Sequence, residues 1–145
     1  MILDHDSIAT MIPHQGAMCL LDAVLRWDAA SIGCLSRRYR APDNPLRRHA
    51  GTLGTATGIE LAAQAMAVHG RLIEGAAGAP RPGYLASVRD VRLCHETLET
   101  SDGDLLGEAQ LLMGDASSAA YSFALTCDGI VLLTGRATVL FAVSQ

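Results

Sequence analysis

Residues 58–70 read GIELAAQAMAVHG. Apart from Glu60, Gln64 and His69, every position is apolar or small. A surface helix carries one apolar stripe and one wet face, whereas a helix that is apolar on almost all sides is buried all round. The pattern predicts one long helix over 55–74, ended by the Gly- and Pro-rich stretch EGAAGAPRPG at 74–83. Whatever surrounds this helix must wrap it.

The flanking sequence supplies strands to do so. MCLLDAVLRW (18–27) and SIGCLSRRYR (31–40) read as two strands joined by the short polar link DAA. YLASVRDVRL (84–93), DLLGEAQLLM (104–113), SAAYSFALTC (118–127) and IVLLTGRATVLF (130–141) read as four more. GD at 114–115 and DG at 128–129 are hairpin turns. In SAAYSFALT, Tyr121, Phe123 and Leu125 share one face, as in a half-buried strand. IPHQG (12–16) is a turn after a short helical lead-in over 5–12, and APDNPLRRHAGTLG (41–54) is a loop. Alternating β-α units are absent, which argues against a parallel sheet. The expectation is an α+β fold of one domain over 1–145: a curved antiparallel sheet wrapped around a single central helix. Such a sheet leaves an edge that two copies can join to bury, so a dimer is expected.

Within the helix, Glu60 and Gln64 lie one turn apart and share one stripe. Thr57 and Glu60 fit a capping box, in which Glu60 would only satisfy backbone donors at the helix start. That reading leaves Gln64 without a role. A buried carboxylate needs a partner or a changed protonation state, and an apolar setting favours the protonated form, which suits a proton donor. His69 is half a turn out of phase with Glu60 and reads as structural, near the helix C-terminus where a cation is favoured. His95 follows a strand and reads as exposed, and His5 lies in the lead-in. His14, in the IPHQG turn, and His49, in the loop before the helix, are the two candidates for an acid–base pair with Glu60.

These residues together resemble the hotdog-fold β-hydroxyacyl-(acyl carrier protein) dehydratases, and most of all the divergent ApeP-like branch linked to aryl polyene synthesis. IPHQGAMCLLDAVLRWD is similar to the family's opening Pro-His…hydrophobic-Asp segment. NPLRRHAGTLGTATGIELAAQAMAVHG is similar to its active-site loop and central helix, with ELAAQ reproducing the helix Glu and the Gln four residues on. GYLASVRDVRL resembles the strand that follows. The resemblance implies that a histidine removes the α-proton of a 3-hydroxyacyl thioester and that Glu60 protonates the departing hydroxyl. It implies Gln64 as a substrate-side neighbour that orients Glu60, and Gly58 as a candidate N–H donor to the thioester oxygen at the helix N-terminus. It also implies an acyl carrier protein as partner and no cofactor beyond the phosphopantetheine that carries the substrate.

The resemblance has gaps. The family's loop is typically His-Phe-Pro-Gly, whereas here it is HAGTLG, and Glu60 follows His49 by only eleven residues. His14 and His49 therefore stand as equal candidates for the base. A hotdog thioesterase, using the helix carboxylate with no required histidine, and a non-catalytic dehydratase-like subunit are the competing functions.

Composition narrows the field further. With a net charge of −4 there is no global basic signature for nucleic acid. All eleven basic residues are arginines, and Arg37, Arg38, Arg40, Arg47 and Arg48 cluster ahead of the helix. Arginine binds phosphate in a bidentate way, so this cluster is a candidate docking patch for the carrier protein. Cys19, Cys34, Cys94 and Cys127 are widely spaced with no C-x-x-C, which predicts buried free thiols and no metal site. No signal-peptide pattern and no apolar run of membrane-spanning length is seen, so a cytoplasmic location without membrane contact is expected.

Overall fold

The computed structural model describes residues 2–13, 16–48, 51–75 and 83–141. A two-residue strand β1 (Leu3–Asp4) leads into helix α1 (His5–Ala9), which Asp4 caps by accepting from the Ser7 N–H at 2.9 Å. Strands β2 (Ala23–Trp27) and β3 (Ser31–Ser36) form a hairpin. Its turn is fixed by Asp28, whose carboxylate accepts from the N–H groups of Ala30 and Ser31 at 2.8 Å each. A 3₁₀ turn (Thr55–Thr57) feeds helix α2 (Gly58–Glu74). Strands β4 (Gly83–Leu93), β5 (Leu105–Gly114), β6 (Ser118–Cys127) and β7 (Ile130–Phe141) follow. All pair antiparallel in one seven-stranded sheet of order β1-β2-β3-β5-β6-β7-β4.

The expected architecture is present: an antiparallel sheet around one long helix. The helix, the last four strands and both hairpin turns stand where the sequence places them. At 128–129 the turn has φ of 51° at Asp128 and 77° at Gly129, the left-handed pair that matches strand twist.

The differences lie at the front of the chain. Only Ala23–Trp27 of the stretch 18–27 is strand, and 31–40 stops being strand at Ser36. Both have a local cause. Leu20 is buried, and its backbone groups find side chains instead of a neighbouring strand: Gln64 Oε1 accepts its N–H at 2.9 Å, and Ser36 Oγ donates to its carbonyl at 2.5 Å. Past Ser36, the Asp22 carboxylate accepts the N–H groups of Arg37 (2.5 Å) and Arg38 (3.0 Å), which turns the chain into a 3₁₀ helix (Arg38–Arg40). Burial alone would push the Asp22 carboxyl up. These N–H bonds and the Arg38 guanidinium outweigh it and hold the group below the ordinary carboxylate range. The strand β1 is an addition that the sequence reading did not contain.

Helix α2 packs on one face of the sheet, against β3, β5 and β6. Leu61, Ala62, Ala65, Met66 and Val68 are buried against Ile32, Cys34, Leu105, Tyr121, Phe123, Leu125 and Leu133. The approach is close where glycine stands. A Cβ on Gly58 would sit 2.7 Å from Leu133 Cδ2 and 2.9 Å from Leu125 Cδ2, and one on Gly107 would sit 3.0 Å from Leu61 Cδ2. At the far edge, β4 pairs only with β7, and every residue of it except Val88 is exposed. Its bare side carries Tyr84, Leu85, Val91 and Leu93. Among the described residues no helix is long and apolar enough to cross a membrane.

Candidate active site

Glu60 is half-buried at the third position of α2. Gln64, one turn on, is wholly buried. Its amide is fully used: Oε1 accepts the Leu20 N–H, and Nε2 donates to the Met18 carbonyl at 2.6 Å and to Glu60 Oε1 at 3.3 Å. Gln64 thus fastens the Met18–Leu20 segment to the helix and steadies the Glu60 carboxyl from the inner side. This is why a glutamine is tolerated in an apolar helix. A buried amide costs little once each of its polar groups is paired.

A cavity of about 500 Å³ opens beside this pair. One wall is helix α2, with Glu60, Ala63, Met66, Ala67 and Gly70. Met11, Ile12 and Pro13 close it from the front of the chain, Tyr121, Val139 and Phe141 from the sheet, and Gly83, Tyr84 and Leu85 from the edge strand. The lining runs along the helix from Glu60 to Glu74. At about 1.5 Å per residue this is a groove about 21 Å long. It is apolar through its middle, with Glu60 at one end and Arg71 and Glu74 toward the other. That form suits a long apolar chain with a polar group at one end.

The other residues singled out in the sequence divide as follows. His14 and His49 lie outside the described residues. Gly58 faces Leu98, Leu125 and Leu133, and its N–H turns back onto the carbonyls of Thr55 and Ala56. Gly58 and Gln64 both stand off the cavity wall, and Glu60 is on it. The capping box does not form: Thr57 Oγ1 donates backwards to the Gly54 carbonyl at 2.6 Å and makes no cap bond. The chain enters α2 through a 3₁₀ turn, so Thr57 has helical dihedrals (φ −66°, ψ −18°) rather than the extended ones a capping side chain needs.

His69 is buried and points away from Glu60, as its phase predicts. It is not a helix-end cation. Burial pushes its pKa down, and its ring bridges the Tyr121 hydroxyl and the Asp28 carbonyl, each at 2.8 Å. His95 is exposed, and His5 Nδ1 lies 2.8 Å from the Leu21 carbonyl oxygen. Three of the four thiols are buried, but Cys94, which follows the edge strand, is exposed.

Among the described residues, Arg37, Arg38, Arg40 and Arg47 of the arginine cluster make side-chain bonds within the fold, and no such bond is found for Arg48. Arg37 pairs with Asp104 at 3.0 Å and Arg38 with Asp22 at 2.8 Å. Arg40 bonds the Tyr39 hydroxyl and the Gly103 carbonyl. Arg47 is a hub: it holds Glu99 in a bidentate pair at 2.7 and 3.0 Å and donates to the carbonyls of Arg40, Ala41 and Gly51. Spacing alone did not reveal Glu99, Asp104 and Asp22 as partners, since they are far away in sequence. Alternation in the sequence gives Tyr121 only a shared strand face with Phe123 and Leu125. Its place on the cavity wall depends on which part of α2 crosses β6.

One antiparallel sheet wrapped on a buried helix, with a carboxyl group on the helix facing a largely apolar groove, defines the hotdog fold. The sequence profile of the ApeP-like family, described as ApeP dehydratase, matches residues 6–143, and the chain belongs to this family. Among solved structures it is similar to a chain of the dehydratase heterocomplex ApeI:P from Xenorhabdus doucetiae. The identity is 25%, with a TM-score of 0.84, covering 99% of this chain and 94% of that one. A mutant of thioesterase PA1618 from Pseudomonas aeruginosa has a TM-score of 0.68 at 12% identity, covering 98% of this chain and 96% of that one. Thioesterase HI1161 from Haemophilus influenzae has 0.67 at 9%, covering 98% and 92%. These last two show the shared fold alone. No curated protein matches the sequence.

Proposed function

We propose that this chain dehydrates 3-hydroxyacyl thioesters carried on an acyl carrier protein to trans-2-enoyl thioesters. The observation that carries the reading is Glu60. It is a half-buried carboxyl group at one end of an apolar groove, steadied by Gln64, in a chain of a dehydratase family. In the proposed reaction the α-carbon loses its proton to a histidine, His14 or His49. The electron pair forms the new C=C bond, and the C–O bond breaks. Glu60 gives its proton to the departing oxygen, so water leaves. Gln64 acts here as a positioning residue, since its amide reaches Glu60 but not the groove.

The partner is proposed to join along the bare edge of β4. Tyr84, Leu85, Val91 and Leu93 are exposed there, next to the groove that β4 helps to line. The similarity to a chain of a dehydratase heterocomplex supports a paralogous subunit over a second copy of this chain. The carrier protein is proposed to dock at Arg89, Arg92 and Arg136, since most of the 37–48 cluster is engaged within the fold. Arg89 and Arg136 stand directly opposite each other across β4 and β7, and none of the three makes an ion pair among the described residues. Like charges in register repel unless an anion joins them.

The test is to follow enoyl thioester formation by absorbance from a 3-hydroxyacyl thioester, with the chain alone and with its partner subunit. Product well above that of Glu60→Gln is expected. No product above that background in either case sinks the reading. Thioesterases share the fold, so free thiol release is measured in parallel. Release that needs Glu60 but neither His14 nor His49 would favour hydrolysis instead.

A further inference from the structure

We propose that Tyr121 determines which acyl tails the groove accepts, and that His69 is the positioning residue that fixes it there. The inference rests on the groove being an acyl site, as argued above. Tyr121 sits on β6 with its ring in the groove wall, opposite Ala63, Met66, Ala67 and Gly70 of α2. These helix residues are small except for Met66, and Tyr121 is one of three aromatic side chains in the lining, with Tyr84 and Phe141. Its hydroxyl lies 2.8 Å from His69 Nδ1, with the two rings edge to face at 82° and 5.6 Å between centroids.

The hydrogen bonds of His69 settle which way this pair points. Nε2 lies 2.8 Å from the Asp28 carbonyl, which can only accept, so Nε2 carries the proton. Nδ1 then accepts, and the Tyr121 hydroxyl is the donor. The hydroxyl is therefore drawn out of the groove, toward the helix, and the groove meets ring carbons. Asp28 is itself pinned, since its carboxylate holds the β2–β3 turn through Ala30 and Ser31. A chain of fixed groups thus runs from a hairpin turn through His69 to the groove wall, and it denies the ring the freedom to swing aside.

Distance separates this role from catalysis. His69 is nine positions beyond Glu60 on one helix, about 13 Å along its axis. Tyr121, bound to His69, therefore meets the tail and not the reacting carbons. The burial that raises the Tyr121 hydroxyl pKa to about 12 keeps it neutral throughout the working range.

The experiment uses the chain together with whatever subunit it purifies with. Unreactive S-alkyl pantetheine thioethers with short straight, long straight and branched tails give dissociation constants by calorimetry. The matching 3-hydroxyacyl thioesters give kcat and KM. Tyr121→Leu is expected to shift the branched-to-straight preference roughly tenfold or more in both measurements, as a change of a few methylenes in an apolar pocket does. His69→Leu, which keeps the ring but frees it, is expected to blur the preference in the same direction by a smaller factor. A Tyr121→Leu protein whose affinities all change by one common factor would overturn the proposal. Should Tyr121→Leu fail to fold, Tyr121→Phe takes its place: it keeps the ring and cuts the bond to His69. Long-tail affinity should then fall while short-tail affinity holds, and an unchanged tail profile overturns the role of the anchor. A shifted thioether preference in a protein that turns nothing over would uphold the tail wall and reject the dehydration reading. Normal turnover with an unmoved preference would do the reverse.

Discussion

Gln64 Oε1 accepts the Leu20 N–H at 2.9 Å, across 44 positions of sequence, and so locks the front of the chain onto the central helix. The same amide donates to the Met18 carbonyl and to Glu60. Gln64→Leu would keep much of the volume but leave the Leu20 N–H and the Met18 carbonyl without partners. At about 1–3 kcal/mol for each buried polar group so stranded, a loss of about 3 kcal/mol is expected in urea unfolding. Turnover should also fall, by roughly tenfold to a hundredfold, because Glu60 loses its neighbour.

Glu60→Gln separates chemistry from folding. The side chain keeps its shape and lies only half-buried, so the melting temperature should move little. Loss of a general acid costs about 10²–10⁴-fold in rate, and kcat should fall by that order. A variant with wild-type kcat would remove Glu60 from the reaction.

Gly58→Ala tests the close approach of helix and sheet. The new methyl would meet Leu133 and Leu125 side-chain carbons at 2.7 and 2.9 Å, and both leucines are fully buried. Overpacking of this kind costs about 1–3 kcal/mol, to be read as a lower urea midpoint with an unchanged slope.

His69 gives the fold a pH dependence whose sign is fixed by its environment. Burial lowers its folded pKa below the unfolded value of about 6.5. Below that pH the unfolded chain takes up a proton that the folded chain resists. Its stabilisation is therefore complete above about pH 6.5 and is lost as the pH falls toward the depressed folded value. Urea midpoints measured from pH 7.5 downward should decline in this window, and His69→Gln should flatten that part of the curve.

Arg47 and Arg89 are expected to separate folding from docking. Arg47→Glu would face Glu99 and abandon three carbonyls, so it should destabilise the chain by about 2–4 kcal/mol. Arg89→Glu relieves a like-charge contact with Arg136 and should leave stability within about 0.5 kcal/mol. If Arg89 meets the carrier protein, KM should rise for carrier-bound substrate and not for the same acyl group on free pantetheine. An equal KM on both would remove Arg89 from docking.

The last four strands, the hairpin turns and the burial of α2 were legible because each is set by local pattern: alternation, Asp-Gly turns, and an apolar surface on nearly all sides of the helix. Residues 18–22 and 37–40 have a strand-like pattern and are not strand, for the opposite reason. Their backbone groups are satisfied by Gln64, Ser36 and Asp22, and such partners come from distant or out-of-phase side chains that no local pattern reveals. The capping box failed because a 3₁₀ turn, not an extended residue, precedes the helix.

By itself, the sequence determined that one apolar helix must be wrapped by strands and that Glu60 and Gln64 share a stripe of it. Periodicity carries that much, because side-chain direction follows from position along a helix or strand. Only the tertiary structure decided that the two residues divide their work. Gln64 turns inward to hold the Met18–Leu20 segment, and Glu60 alone reaches the groove. It also decided that Arg38, Arg47 and Arg37 pair with Asp22, Glu99 and Asp104, and that Tyr121 stands in the groove wall. These are pairings between groups far apart in the chain, and they exist only once the sheet has closed on the helix.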